Sequence, residues 1–150
     1  MARLKYEIRD LLNDIQGSTN GIGEDLTYTS VYDDIKQARF EEDDQLSQGI
    51  WERDRVKADW ELVETLSVKA IQNQSKDLQI VGWLLESLLI LDKFKGIAIG
   101  IDMLSRFIQQ YWNTCYPILE DGKSDNEQKL RILEWIYESI YRRSLLIPIL

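Results

Sequence analysis

The sequence of 150 residues contains no histidine and only one cysteine, Cys115. Without histidine the chain has no imidazole general base, no Ser-His-Asp or Cys-His catalytic arrangement and no histidine metal ligand. A single cysteine excludes an internal disulfide and a cysteine-rich zinc site. Because Cys115 has no basic neighbour in the sequence and follows a predicted helix end, we expect it to be buried as a small apolar side chain.

Basic residues and long apolar runs are also scarce. Acidic side chains outnumber basic ones by 26 to 18, which gives a formal net charge of −8. This balance argues against a nucleic-acid partner, because phosphate binding needs a basic surface. The apolar stretches at 78–85, 87–91 and 96–101 are each far shorter than the roughly 20 apolar residues of a membrane-spanning helix. We therefore expect a cytoplasmic protein that does not insert this segment into a membrane.

Apolar residues recur at helical spacing along most of the chain, and no alternating pattern with hairpin turns is present. The hydrophobic content of 44% suits a single packed domain of this length. The pattern therefore predicts an all-α, compact, bundle-like domain of about six helices. They run from Leu4 to Ile15, from after Ser30 to Ala38, over 56–73, from Ser75 to Leu89, over 97–112, and from 124–127 to Tyr141.

Local signals indicate where these helices begin and end. We expect Ser75 to cap the fourth helix with Asp77 in its first turn, and the wide apolar face of that helix to make it central. Residues 93–96 predict a tight connection to the fifth helix. The Ser-Asp-Asn-Glu sequence at 124–127 is a capping box for the sixth. The glycines of 17–23 predict a turn rather than a phosphate-binding loop, because no Lys-Ser/Thr pair follows them.

Carboxylates are the acid–base groups left for catalysis. Glu61 and Glu64 form an E-x-x-E pattern like that of all-helical nucleotide pyrophosphohydrolases, which hold magnesium between facing helices. No inward-facing acidic pair on a later helix partners them, and we interpret Glu134 and Glu138 as solvated residues beside an apolar stripe. A carboxylate pair for glycoside cleavage is the second catalytic arrangement considered, and the sequence indicates no facing acidic pair for it either. A small Mg-dependent nucleotide hydrolase and a generic acidic helical adaptor remain the alternatives.

Aromatic residues are abundant for a domain of this size, with five tryptophans and seven tyrosines. Trp and Tyr are enriched in binding hot spots, so we expect three tryptophans in the core and one or two in a partner groove. The spacing of Gly96 and Gly100 indicates close packing against a neighbouring helix or a bulky side chain. The tryptophans in predicted helices are Trp60, Trp83, Trp112 and Trp135.

Short motifs occur in a defined order between residues 15 and 140. They are Gly23-Glu24-Asp25-Leu26-x-Tyr28, Tyr32-Asp33-x-Ile35-x-x-Ala38-Arg39, Trp51, Asp59-Trp60-x-x-Val63, Ser75-Lys76-Asp77-Leu78-Gln79, Trp83-Leu84-x-Glu86, Phe94-Lys95-Gly96-Ile97, Gly100, Tyr111-Trp112, Tyr116-Pro117, and Leu130-Arg131 with Leu133 and Trp135. Each motif is weak alone, but their order and spacing together resemble the N-terminal domain of the ImpA/TssA family of type VI secretion proteins. The residues Asn20-Gly21-Ile22 depart from the family pattern.

The resemblance implies a non-enzymatic structural component without a cofactor or bound metal. Such bacterial proteins act in the cytoplasm at the baseplate and the contractile tail, where they prime or cap polymerisation of the inner tube and sheath. Their N-terminal domain docks on these protein partners, and other regions, usually C-terminal, build oligomeric rings. We therefore expect residues 1–150 to be an ImpA-type N-terminal domain of a longer protein, monomeric or weakly dimeric alone and part of a homo-oligomeric ring at full length.

Sixteen residues of this sequence match the family motifs, and the resemblance implies a mainly structural role for them. It implies no catalytic, cofactor-binding or metal-binding residue. We expect Asp59 to accept a hydrogen bond from a backbone N–H or from Lys76, and we expect Leu78, Trp83, Trp112 and Trp135 in the core. The sixteen positions are Gly23, Asp25, Leu26, Tyr28, Arg39, Asp59, Trp60, Ser75, Lys76, Asp77, Leu78, Trp83, Gly96, Trp112, Pro117 and Trp135.

Overall fold

The computed structural model describes residues 6–41 and 57–148, which form an all-α fold. A short 3₁₀ helix, Ile8–Leu12, is followed by four α-helices: α1 Ser30–Arg39, α2 Trp60–Asn73, α3 Leu78–Tyr111 and α4 Asn126–Ser144. Helix α3 packs against α2 and α4, and α1 packs against α2. The all-α prediction is confirmed, whereas the number of about six helices is corrected to four α-helices and one 3₁₀ helix within these residues.

Parts of some predictions fall outside the described residues. They are Leu4 in the first predicted helix, the motif residue Trp51 and the predicted start of the third helix at Val56.

The first predicted helix is a single 3₁₀ segment because the chain turns away after Leu12. Its C-cap residue, Asn13, is extended, and the backbone N–H of Ile15 donates to the carbonyl of Gly21 at 2.8 Å. This bond closes the glycine-containing turn that the sequence predicts at 17–23. Leu11 and Ile15 still reach the core, as their spacing indicated.

Helices α1 and α2 begin where the sequence supplies a polar residue followed by apolar periodicity. Helix α1 starts at Ser30, slightly earlier than the predicted start after Ser30, and buries Tyr32, Ile35 and Ala38. Helix α2 starts at Trp60 rather than at residue 56, because the carboxylate of Asp59 accepts from the backbone N–H of Leu62 at 3.1 Å and caps the helix there.

Helix α3 is the central element, as predicted from its wide apolar face. All ten residues from Ile80 to Leu89 are buried. The N-cap is Asp77, whose side chain accepts from the backbone N–H groups of Gln79 and Ile80, and the helix begins at Leu78. The prediction that Ser75 caps this helix is therefore wrong. Ser75 instead lies in an isolated bridge with Gly23, two residues ahead of the cap.

The chain reverses at Lys93, which has φ 59° and ψ −133°, so α3 consists of two helical segments joined at this residue. A Cβ atom on Gly100 would lie 2.8 Å from Cγ of Leu85, and one on Gly96 would lie 1.9 Å from the carbonyl oxygen of Leu88. In a straight helix these pairs would be more than 10 Å apart at about 1.5 Å per residue. The segments before and after Lys93 therefore pack on each other, which explains the predicted connection at 93–96 and the close packing predicted for the two glycines.

Helix α4 begins one residue later than a Ser124 cap would place it. The carboxylate of Asp125 accepts from the backbone N–H of Gln128 at 3.1 Å, so Asp125 is the N-cap. Ser124 instead donates to Oδ1 of Asn126 at 2.7 Å. Glu127 forms an ion pair with Arg131. The predicted capping box is thus wrong in its residues, although the predicted helix start is right within two positions.

The tryptophans divide between the core and its border. Trp83 is 4% exposed and packs edge-on against Tyr32 with ring centroids 5.1 Å apart. Leu78 is fully buried, as expected. Trp60, Trp112 and Trp135 are half-buried and pack against the core from outside. The expectation that Trp112 and Trp135 are core residues is therefore corrected to a border position.

Candidate functional site

Asp77 connects α3 to α1 through a buried hydrogen bond. Its Oδ1 atom accepts from the backbone N–H groups of Gln79 and Ile80 at 2.8 and 3.4 Å, and its Oδ2 atom accepts from the hydroxyl of Tyr32 at 2.6 Å. Asp77 is 1% exposed, and burial raises the pKa of its carboxyl to about 6. Burial and the neighbouring Asp77 also raise the pKa of Tyr32. The pair fixes the start of α3 against α1.

Lys76 is fully buried, and its ammonium group holds the N-terminal segment. Its Nζ atom donates to the carbonyl oxygens of Leu11 and Ile71, both at 2.8 Å, and lies 5.5 Å from the ring centroid of Tyr111. Burial lowers the pKa of Lys76 to about 8, while nearby Asp14 opposes the decrease. These bonds exclude the predicted Lys76–Asp59 pair, whereas the backbone alternative for Asp59 agrees with its cap bond to Leu62.

Tyr111 closes the same cluster from the end of α3. Its hydroxyl donates to Oδ1 of Asp14 at 2.8 Å and lies 3.1 Å from the carbonyl oxygen of Leu12. Burial, followed by the bond to Asp14, raises the pKa of Tyr111. The sequence motif contained Tyr111, but nothing in the spacing indicated Asp14 as its partner.

Glu86 receives hydrogen bonds from two other helices. Arg39 of α1 donates from Nε to Oε1 at 3.0 Å and from Nη2 to Oε2 at 3.1 Å, and Arg143 of α4 donates from Nε to Oε2 at 3.0 Å. Ser139 of α4 donates to Oε2 at 3.1 Å. Glu86 lies on the central α3, and its side chain is only 1% exposed. This Glu86 network therefore ties α1, α3 and α4 together.

Two border tryptophans cover the arginines of the Glu86 network. The guanidinium carbon of Arg39 lies 5.3 Å from the ring centroid of Trp135, and that of Arg143 lies 5.0 Å from the ring of Trp60. Arg39, Trp60 and Trp135 were predicted separately from the sequence, and the structure brings them together. Arg143, which belongs to none of the sequence motifs, completes the network.

A second buried lysine, Lys129, lies at the junction of α3 and α4. Its Nζ atom donates to the carbonyl oxygen of Trp112 and to Oγ of Ser124, both at 2.6 Å. Cys115 is fully buried nearby, and burial raises the pKa of its thiol to about 11. The thiol is therefore protonated at neutral pH, in agreement with the prediction that it is buried. Lys129 was missed because a lysine gives no burial signal in the sequence.

The first motif forms the loop that leads into α1. Gly23 has φ 78°, and a Cβ atom there would lie 2.1 Å from the carbonyl oxygen of Gln74, so both the conformation and the space require glycine. The hydroxyl of Tyr116 donates to the carbonyl of Gly23 at 2.8 Å. Asp25 accepts from the backbone N–H of Thr27 at 2.9 Å.

The remaining predicted positions have different surroundings. Leu26 is buried, whereas Tyr28 is 99% exposed, which a structural role does not explain. Pro117 is half-buried after a cis peptide bond with Tyr116. Ser75 is fully buried, and its hydroxyl has no hydrogen-bond partner within the described residues.

The carboxylates considered for catalysis lie apart. Glu64 is buried and accepts from the hydroxyl of Tyr6 at 3.0 Å, whereas Glu61 is exposed. Glu134 and Glu138 are both exposed on α4. Over residues 6–41 and 57–148, no group of three or more acidic or cysteine side chains is arranged to hold a metal ion.

An exposed apolar stripe runs along α4. Leu130, Tyr137 and Tyr141 are 54%, 70% and 57% exposed, and the two tyrosine rings stack with centroids 6.3 Å apart. Beside them is a shallow cleft of about 490 Å³, lined by Leu130, Leu133, Glu134, Tyr137 and Glu138. We call these six residues, including Tyr141, the α4 face.

A second, larger cleft of about 600 Å³ lies at the glycine-containing turn and the end of α2. Its lining includes Gly17, Asn20, Gly23, Asn73 and Gln74. Asn20 is already used by the turn, because its Oδ1 atom accepts from the backbone N–H of Ile22 at 3.0 Å.

These features define an all-α domain whose buried charges bind other parts of the same domain and whose α4 face is open. Over residues 12–138 the sequence matches the family described as ImpA, N-terminal, type VI secretion system, and the chain belongs to that family.

In the described part of the chain, no helix has the length and apolar character needed to span a bilayer.

Two known proteins illustrate the relationship. The chain is 32% identical over 117 residues to the type VI secretion system component TssA1 of Pseudomonas aeruginosa, covering 73% of this chain and 31% of that protein. It superposes with a TM-score of 0.69 and 26% identity on a solved N-terminal domain that includes the conserved ImpA_N region of TssA from Burkholderia cenocepacia, covering 91% of this chain and 49% of that one. The chain thus spans about a third of the curated relative.

Proposed function

We propose that this domain is a non-enzymatic docking module of the type VI secretion apparatus, which helps to assemble or cap the baseplate and the contractile tail sheath or tube. The family match over residues 12–138 carries this proposal, together with the related TssA1, a component of that system. We further propose that the domain acts in the cytoplasm as the N-terminal part of a longer protein whose other regions form a ring.

The arrangement of the charged motif residues supports this function. Arg39, Lys76 and Asp77 each bond to another element of the same domain. Buried charges need such partners to offset desolvation, so their first role is to keep the fold unique and rigid. This favours a mainly structural role for these motif residues and leaves partner binding to the surface.

The magnesium-dependent hydrolase is the weaker alternative. Glu64 of the E-x-x-E pattern accepts a hydrogen bond from Tyr6, and Glu61 faces solvent, so the two carboxylates do not converge. A thermal melt with and without magnesium tests it, because a cation that binds only the folded state raises the midpoint. An increase that saturates with magnesium would favour the hydrolase.

The docking function is tested with purified type VI tube, sheath and baseplate subunits of the source organism. The chain and the full-length protein are immobilised separately, and an unrelated acidic helical protein serves as the control. We expect at least one subunit to bind the chain and not the control. If the subunits are folded and none binds either the chain or the full-length protein, the proposed function is wrong.

A further inference from the structure

The α4 face has the pattern of a helix-binding surface. Leu130, Tyr137 and Tyr141 are separated by seven and four residues, so they lie on one side of α4. Each is more than half exposed, and Leu133 lines the cleft between them. Tyr side chains supply large contact areas with little loss of conformational freedom and are frequent binding hot spots. An aligned apolar and aromatic stripe of this kind fits the apolar side of a second helix.

One edge of the α4 face carries two exposed carboxylates. Glu134 and Glu138 line the cleft, and neither forms an ion pair with a described residue. Two turns before Glu134, by contrast, Glu127 is paired with Arg131. Like charges four residues apart on a helix are slightly destabilising, so the pair does not serve the stability of α4. A basic partner would remove this repulsion.

We propose that the α4 face docks an amphipathic helix of a protein partner, with the partner's apolar side on Leu130, Tyr137 and Tyr141 and with lysine or arginine at its edge opposite Glu134 and Glu138. This inference rests on the proposed docking function and specifies its surface. The charge of the two glutamates makes a second copy of the same edge, or an acidic helix, a poor occupant.

The first test uses two synthetic peptides of about 18 residues, or five helical turns. Both carry leucines at helical spacing; one has lysines along the edges of the stripe, and the other has glutamates at the same positions. Binding to the 150-residue chain is measured by isothermal titration. We expect the lysine peptide to bind at least about tenfold more tightly than the glutamate peptide. Equal affinities, or no binding of the lysine peptide, would overturn the proposal.

Variants locate the binding surface. We expect Tyr137→Ala to weaken binding of the lysine peptide about tenfold or more, because a central aromatic anchor is lost. Tyr28→Ala is the matched control, since Tyr28 is also an exposed tyrosine but lies in the loop before α1. If Tyr28→Ala weakens binding as much as Tyr137→Ala does, the peptide is not bound at the α4 face and the proposal fails.

The acidic edge is tested separately from net charge. The pair Glu134→Gln and Glu138→Gln is expected to weaken binding about fivefold and to reduce its salt dependence. The pair Glu24→Gln and Glu120→Gln changes the net charge by the same amount at exposed positions elsewhere. Equal losses in the two double variants would indicate non-specific attraction to an acidic protein and would contradict the proposal.

The same variants separate this inference from the proposed function. If a type VI subunit binds the wild-type chain and binds Tyr137→Ala equally well, the docking function stands and the α4 face is not its surface. If no subunit binds but the lysine peptide shows the expected pattern, the α4 face stands and the proposed function fails.

Discussion

Glu86 is the residue on which the relative placement of three helices depends. Its carboxylate is nearly inaccessible to water, and it accepts bonds from Arg39, Arg143 and Ser139. Removing one member of a buried charge network is costly because the remaining charges lose their compensation. The arginines are about one quarter exposed, which moderates the cost.

We therefore expect Glu86→Gln to lower the free energy of unfolding by about 3 kcal/mol. The substitution keeps the size of the side chain but removes the carboxylate that pairs with Arg39 and the nearer of the two carboxylates beside Arg143, the other being Glu41 at 3.9 Å. Urea unfolding followed by circular dichroism measures the change. Glu127→Gln is the control, since that residue pairs with Arg131 on the surface, and we expect it to cost less than about 0.5 kcal/mol. Equal losses in the two variants would contradict the structural importance of Glu86.

Asp77 should make stability depend on pH in an unusual direction. Its folded pKa, about 6, is higher than the ordinary value of 3.8, so the folded state holds the proton more tightly than the unfolded state between those values. The stabilising contribution is therefore complete below about pH 4 and is lost as pH rises through about 6. Relative to Asp77→Asn, the wild type should lose up to about 3 kcal/mol over this range.

This prediction is measured as the difference between wild type and Asp77→Asn in urea unfolding at several pH values. Taking the difference cancels the titration of the other carboxylates. Tyr32→Phe provides a second check, because the Tyr32 hydroxyl donates to Asp77 and lowers the pKa of that carboxyl. We expect this variant to move the transition to higher pH. A difference that stays constant from pH 4 to 7 would show that Asp77 titrates normally.

At the scale of elements, the reversal within α3 depends on Lys93. A positive φ of 59° costs a lysine about 1–3 kcal/mol, whereas glycine adopts it without strain. We expect Lys93→Gly to raise the free energy of unfolding by about 0.5–1.5 kcal/mol, after the greater entropy of glycine in the unfolded chain is included. Thermal and urea unfolding measure the change.

Lys95→Gly is the matched control for this prediction. Lys95 is also exposed, two residues further along α3, and there a glycine is expected to destabilise the helix by about 1 kcal/mol. The two substitutions should therefore act in opposite directions. Destabilisation by both would mean that the backbone at Lys93 is not strained.

Helical periodicity was sufficient to predict where the α-helices lie, but not the number of helices or their caps. The spacing of Val63 and Ala70, and of Leu78 and Leu84, indicated α2 and α3 because apolar positions must face the core. Ser75 and Asp77 are both good N-caps by type, and the choice between them depends on the pairing of Ser75 with Gly23, some fifty residues away. Such long-range pairings are not visible in local sequence.

The candidate site was predictable only in part, for a related reason. Lys76, Lys129 and Glu86 are buried, although charged residues are usually exposed. Their burial depends on hydrogen-bond partners on other elements. Lys76 and Glu86 belong to the sequence motifs, but their hydrogen-bond partners were not predicted.

Of the α4 face, only Glu134 and Glu138 were interpreted from sequence as solvated residues beside an apolar stripe. Periodicity does not reveal that Leu130, Tyr137 and Tyr141 remain exposed once the helix has packed.

At the scale of the whole molecule, the polar clusters connect all four α-helices. The bond between Tyr32 and Asp77 joins α1 to α3, the Glu86 network adds α4, and Arg143 lies over Trp60 of α2. Separation of α1, α3 or α4 would break a buried charged contact of these clusters, and separation of α2 would break the buried bond from Lys76 to the carbonyl oxygen of Ile71. The domain should therefore unfold as one cooperative unit.

We expect unfolding curves followed by tryptophan fluorescence and by circular dichroism at 222 nm to coincide. Trp60, Trp83 and Trp135 report on α2, α3 and α4, whereas circular dichroism reports on total helix. Arg39→Met should shift both curves by the same amount, since the loss of one helix contact weakens the whole unit. A fluorescence midpoint that falls well below the circular dichroism midpoint would indicate that α1 or α4 detaches first. In that case the polar clusters would stabilise individual helix contacts and not the domain as a whole.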